Sequence, residues 1–258
     1  MTTTDDDTGP HGRGTEHGGD PEVVLRRVVV GPLQTNCWAV HARGHRQALL
    51  VDPGDEPDLV LAAVVADLDV TAIVLSHAHF GHVLAVPSVA AALHAPVLAH
   101  ADDAPVWPHE LATLERTGHF DAGTATGELL AAGHPLRPDP AHPGWDGHVD
   151  RHLRDGDILQ AGPLTAHVLH TAGHSPGGLS LYLPGGAGHP GHVLTGDTLF
   201  PGGPGLTGWP LSDFPTVLAS VRRLLDLPAR TVVHPGHGPD TTVGTERPAL
   251  PSWAARGW

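Results

Sequence analysis

The chain has almost no thiol chemistry to offer. A single cysteine, Cys37, stands among 258 residues. That excludes an intrachain disulfide and makes a reducing cytoplasm the expected compartment. Aromatic residues make up only 4% and charged residues 16% of the sequence. No apolar run approaches the roughly 18 residues of a membrane span. The opening stretch, MTTTDDDTGPHGRGTEHGGD, lacks the basic and apolar regions of a secretory signal. Basic residues are scarce, 14 against 28 acidic ones, for a formal net charge of −14. The only adjacent basic pairs, Arg26-Arg27 and Arg222-Arg223, sit within apolar runs. Neither a nucleic-acid backbone nor an acidic membrane is therefore expected as the partner. A small-molecule substrate is.

What the chain does have is glycine (33), proline (26) and histidine (22), with 40% hydrophobic residues, the profile of a loop-rich globular protein. Residues 1–21 read as a disordered tail. Residues 22–248 read as one domain, and 249–258 as a C-terminal tail. Valine-rich and alternating stretches predict strands at 22–31, 35–42, 46–52, 70–76 and 96–100. Helical spacing covers 56–68 and 82–95, the second bent at Pro87. Further strands are expected at 157–162, 164–171, 179–184, 191–197 and 230–238, with a helix at 211–227 capped by Ser212 or Asp213. Two β-rich halves, each flanked by helices, predict an α/β fold: a four-layer αββα sandwich with helices outside and two sheets inside. Residues 117–155 are irregular and rich in Gly, Pro, His and Asp, a surface insertion or a lid.

With so many histidines, H-x-H arises by chance about twice in such a chain, and a third His at fixed spacing lowers that to about 0.2. Position must supply the rest. Five predicted strands end in residues that can bind a metal: Asp52 in VDPGD, His77, His79 and His82 in SHAHFGH, His174 in HTAGHSPGG, Asp197 in LTGDTLF, and His234 and His237 in VVHPGHGP. Neutral imidazoles with a carboxylate are the usual ligand set of catalytic zinc or non-haem iron. Most other histidines, His41, His94, His100 and His109 among them, read as surface or core residues. His170 and His234 read as supporting or incidental. Cys37 reads as core. Trp145 and Trp209 are candidates for a pocket wall or for ordinary packing.

The order of these motifs, H-x-H-x-x-H, G-H-S-x-G-G, G-D-T-L-F and P-G-H-G-P, resembles the metallo-β-lactamase-fold hydrolases. Within them it is most similar to the short glyoxalase II-like (hydroxyacylglutathione hydrolase-like) proteins. VGPLQTNCWAV, VDPGDEPD and HPGHGPDTTVGTERP match that subgroup too, so the likeness spans roughly residues 24–248. The resemblance implies the αββα fold and two metal sites. His77, His79 and His174 hold the first metal, Asp197 bridges, His82 and His237 hold the second, and Asp52 orients a ligand imidazole. Zinc is the implied cofactor, one or two ions, with iron or manganese as alternatives. The implied reaction is hydrolysis of a thioester or related ester by a metal-bound hydroxide.

The sequence departs from that pattern at three points. The family motif is H-x-H-x-D-H, and Gly81 stands where its aspartate belongs, so the second site is one donor short. Only 21 residues follow His237, too few for the helical domain with which full-length glyoxalase II enzymes grip glutathione. Leu206 stands where many relatives carry an arginine. Three outcomes are open: a hydrolase with water in the vacancy, a mononuclear iron enzyme like the persulfide dioxygenases of this fold, or a binding protein without catalysis.

Overall fold

A computed structural model of the chain describes residues 21–117, 145–186 and 188–257. Two six-stranded sheets face each other. The first has the order β1 (Val23–Val30), β2 (Thr35–Ala42), β3 (Gln47–Val51), β4 (Asp69–Val74), β5 (Val97–His100) and β6 (Arg151–Leu153). The second runs β14 (Thr241–Thr242), β13 (Val232–Pro235), β10 (His192–Gly196), β9 (Leu179–Leu183), β8 (Leu164–His170) and β7 (Ile158–Ala161). Two short strands, β11 (Leu199–Phe200) and β12 (Gly203–Pro204), form a separate hairpin.

The layers follow from strand periodicity, because alternate side chains leave a strand on opposite faces. In β2 all eight residues are buried. Trp38, Val40 and Ala42 enter the core between the sheets, with Leu49, Val51, Val74 and Leu98 on their own side and Leu164, Val168, Leu181 and Leu194 opposite. Cys37 and Ala39 point the other way, against Val60 of α1 (Pro57–Ala63), Val83 of α2 (Phe80–Val83), Val86 and Val89 of α3 (Val86–Leu93), and Val106 and Trp107 of α4 (Val106–Thr117). On the far side, Leu218, Val221 and Leu224 of α5 (Phe214–Leu225) cover Val193 and Val233, joined by Val243 of α6 (Val243–Glu246) and Trp253 of α7 (Leu250–Arg256). The four-layer αββα sandwich is therefore the fold, and both sheets are covered on two faces.

The structure corrects three details and decides a fourth. The expected bent helix at 82–95 is two helices, α2 and α3, and Pro87 lies in the first turn of α3, where its missing N–H costs nothing. The irregular stretch 117–155 contains a strand: residues 151–153 pair with β5. Most of the rest of it, 118–144, lies outside the described residues, as does the expected N-terminal tail through residue 20. The expected tail 249–258 is largely helix α7, which buries Trp253. Of the two candidate caps for α5, Asp213 serves: its side chain accepts the Thr216 N–H at 2.9 Å.

This topology places the site. Strand β3 runs parallel to β4, β4 to β5, and β10 to β13. Parallel neighbours end at the same edge, so Asp52, Ser76-His77, Asp197 and Gly236-His237 emerge together. The sheets are laced there by two backbone bonds, Asn36 N–H to Gly236 O (2.7 Å) and Leu179 N–H to Ser76 O (2.8 Å), while Gly236 N–H to Gly196 O (2.8 Å) ties β13 to β10 within the second sheet.

Candidate metal centre

Seven side chains singled out in the sequence meet at this edge: Asp52, His77, His79, His82, His174, Asp197 and His237. His77, His79 and His174 offer ring nitrogens that all lie within 4.8 Å of one another, and His77, His82 and Asp197 form a second such group. His79 Nδ1 lies 3.0 Å from His174 Nε2, and His82 Nε2 lies 3.2 Å from His237 Nε2. Asp197 stands between the groups. Its Oδ2 is 3.6 Å from His174 Nε2 and 3.4 Å from His237 Nε2, and its Oδ1 is 3.6 Å from His82 Nε2.

Hydrogen bonds on the outer side fix which nitrogen of the His77, His82 and His174 rings faces inward. His82 Nδ1–H donates to Asp52 Oδ2 at 3.0 Å. The Ser76 hydroxyl donates to the same oxygen at 2.6 Å, and so is left to accept His77 Nδ1–H at 3.0 Å. Asp52 thus aims two imidazoles, His82 directly and His77 through Ser76. Its other oxygen accepts the Ser76 N–H at 2.7 Å. His174 Nδ1–H donates to Leu206 O at 2.8 Å. Each of these rings is left with an Nε2 lone pair directed at the cleft. Gly236 is glycine by necessity, since a Cβ there would stand 2.2 Å from Asp197 Oδ1.

Electrostatics suit a cation. Burial, reinforced by the neighbouring imidazoles, holds His77 and His79 well below the usual histidine range, and burial lowers His174 as well. All three are neutral near pH 7, the form that ligates a metal. Burial alone would raise Asp197, but His237 and His82 hold it well below the ordinary carboxylate value. Burial opposes the charging of His237, yet Asp197 raises it to about 9. His77 Nε2 and Asp197 Oδ1 are buried without a hydrogen-bond partner among the described residues. Two such groups side by side cost about 1–3 kcal/mol each, and a bound cation would satisfy both. The residues fit a metal.

Gly81 lies in α2 with a helical backbone, so nothing in its conformation demands glycine. A Cβ there would meet Leu33 Cδ1 at 3.1 Å and Thr35 Oγ1 at 3.4 Å. Leu33 occupies the space an aspartate would need.

The donors form the floor of a cavity of about 300 Å³. Its walls are mostly apolar, with Leu33, Phe80, Val106, Phe200, Leu206, Trp209 and Leu211. Leu206 and Leu211, at the rim, are 63% and 43% exposed. The chain contains no lysine, and no arginine lines the cavity among the described residues. Glu110, which the sequence did not single out, is a wall residue with Oε1 3.9 Å from His79 Nε2.

The remaining candidates stay out of the cluster. Trp209 is a wall residue, whereas Trp145 packs in the core, accepting the Trp107 indole N–H on its carbonyl at 2.8 Å. His109, read as a surface or core residue, lines the cavity. His234 is buried, its ring taken up by His192 at 3.0 Å and Asp240 at 3.1 Å. His100 and His170 stack with centroids 4.0 Å apart and rings 12° from parallel. One ion cannot lie in both ring planes, so that pair is not set to chelate. Cys37 is fully buried, and burial pushes its thiol well up, as befits a core residue.

The sequence model of the metallo-beta-lactamase superfamily matches residues 30–237. The chain belongs to that superfamily. It is 34% identical over 229 residues to a probable metallo-hydrolase, YqgX, of Bacillus subtilis, covering 88% of this chain and 95% of the relative. It is 28% identical over 233 residues to the hydroxyacylglutathione hydrolase GloC of Haemophilus influenzae, covering 87% and 95%. Among solved structures, TTHA1623 in a di-iron-bound form is 37% identical with a TM-score of 0.64, covering 86% of this chain and 96% of that one. The B3 metallo-beta-lactamase BLEG-1 is 30% identical with a TM-score of 0.67, covering 89% and 99%. Members of the metallo-β-lactamase superfamily bind metals, and this chain carries clusters of His and Asp that could hold one.

Proposed function

We propose that this metallo-hydrolase cleaves the thioester or ester of an apolar acyl group, and that its thiol or alcohol carrier is not glutathione. The observation that carries the reading is the position of the convergent His/Asp donors at the floor of an apolar cavity that no lysine or arginine lines among the described residues. His77, His79, His174 and Asp197 would hold the catalytic metal. Zinc suits that set, and so does iron. When bound, the metal makes a water nucleophilic near neutral pH and polarises the substrate carbonyl.

The chain's own residues do the rest. Asp52 and the Leu206 carbonyl hold the ligand rings in the tautomers that keep lone pairs inward. Asp197 supplies the negative charge that offsets the cation. Leu33, Phe80, Val106 and Phe200 exclude water from the acyl group, while Trp209, Leu206 and Leu211 form the lip over which it enters. A thiolate leaves without help from an acid, which fits a wall with few proton donors. Glutathione carries two carboxylates, and no lysine or arginine lines the cavity among the described residues to meet them.

The test is a series of acyl thioesters of N-acetylcysteamine, with two to eight carbons, beside S-acylglutathiones of the same acyl groups. The protein is assayed after loading with zinc, iron or manganese. Turnover should rise with chain length, by about tenfold or more across the series at 1–3 kcal/mol per pocketed methylene at most, and the glutathione esters should be poorer. No turnover with any metal sinks the reading. Oxygen uptake with a persulfide by the iron form would replace it with the dioxygenase reading.

A further inference from the structure

We propose that Asp103 is a positioning residue for the first metal site, the carboxylate that sets the loop of His77 and His79 against the loop of His174. The proposal rests on the metal-binding reading of those histidines. Asp103 ends a short 3-10 turn after β5, on the same edge as the site, and is 3% exposed. Its Oδ2 accepts the N–H of Ala78 at 2.6 Å. Ala78 is the residue between the two ligands of the first loop. Its Oδ1 accepts the N–H of Gly177 at 2.6 Å. Gly177 lies three residues past His174, in a loop of the other sheet. One carboxylate, from a third element, thus holds both loops with one oxygen each.

Two further observations show that the arrangement has little slack. Gly177 packs directly on the backbone of Asp103, where a Cβ would stand 2.5 Å from Asp103 N. The carboxylate is also kept where burial disfavours it: burial pushes it up to about 6, against the pull of the Ser175 hydroxyl and the Gly177 and Ala78 amides. Near neutral pH it is ionised, and an ionised acceptor makes the shorter, stronger bonds seen here. Asparagine could satisfy only one of the two amides, because its NH2 would face the other. The ligand rings depend on that spacing, since His79 Nδ1 and His174 Nε2 are 3.0 Å apart across the two loops. Sequence reasoning passed over Asp103, although it follows a strand end as the ligands do.

The experiment measures cobalt(II) affinity, by competition with a chromophoric chelator, and the cobalt absorption spectrum. The proteins are the wild type, Asp103→Asn, Gly177→Ala and Asp150→Asn. Gly177→Ala pushes the same contact apart while keeping the aspartate in the chain, and so tests the idea if Asp103→Asn folds poorly. Asp150 is the control. It accepts the Val97 N–H at 2.7 Å, at the other end of β5, away from the site. Melting of the chelated proteins reports their stability. Asp103→Asn and Gly177→Ala should lose about 10- to 100-fold in cobalt affinity, the range for residues that support metal ligands, and should show an altered spectrum. Asp150→Asn should lower the melting temperature and leave both unchanged. Wild-type affinity and spectrum in the first two variants, or the same cobalt loss in Asp150→Asn, overturns the proposal. A wild type that takes up no cobalt overturns the metal reading itself, and the proposal with it.

Discussion

At the scale of single residues, Gly81 and Leu33 are one feature. The glycine leaves the group of His82, His237 and Asp197 short of a donor, and Leu33 fills the space the donor would use, 3.1 Å from the Cβ position. Leu33 is a side chain and can turn aside, so the added strain of Gly81→Asp should stay within the roughly 1–3 kcal/mol typical of overpacking. The variant should raise bound metal per chain and hydrolysis together, measured by elemental analysis and thioester turnover. A fall in activity with no gain in metal would make the glycine part of a different working site. Legibility at this scale was uneven. His77, His79, His174, Asp197 and His237 could be picked out because each follows a strand end, and His82 because it stands at fixed spacing after the first two. Glu110 could not, because it lies in the middle of a helix, and its place in the wall depends on how α4 packs.

At the scale of elements, the C-terminal helix α7 shows what local pattern misses. LPSWAAR is only seven residues long, too short to show a helical period, and 249–258 read as a tail. Tertiary contact decides otherwise: Trp253 is buried with Leu199, Val193 and Leu218 on the outer face of the second sheet. Trp253→Ala should therefore destabilise the protein by about 3–5 kcal/mol, measured by urea unfolding of the chelated form. A change within the range of surface substitutions, about 0.5 kcal/mol, would mean that α7 contributes little to the core. The strands were easier to read. The bounds of β2, 35–42, were legible to the residue, because a run buried on both faces and bordered by turns leaves little choice. The short strands β6 and β14 were not, since two or three residues carry no period.

At the scale of the whole molecule, the first sheet supplies His77, His79 and His82, and the second supplies His174, Asp197 and His237. A metal bound there joins the two sheets. Metal that binds the folded chain alone stabilises it by mass action, about 2.7 kcal/mol at one hundred times the dissociation constant. Adding zinc or cobalt to chelated protein should raise the melting temperature in a concentration-dependent way, in a single transition because the sheets share one core. Two transitions, or no shift on adding metal, would count against a shared clamp.

The sequence by itself determined the layers and the ligand types. Periodicity dictates which face of each strand is apolar, and the chemistry of imidazole and carboxylate is fixed in the residue. Only the tertiary structure decided the rest: that parallel β3, β4, β10 and β13 end at one edge, that Asp52 aims two rings, that Leu33 closes on Gly81, and that Asp103 spans two loops. These depend on distances between segments far apart in the chain, and no local pattern encodes a distance of 2.6 Å between Asp103 and both Ala78 and Gly177.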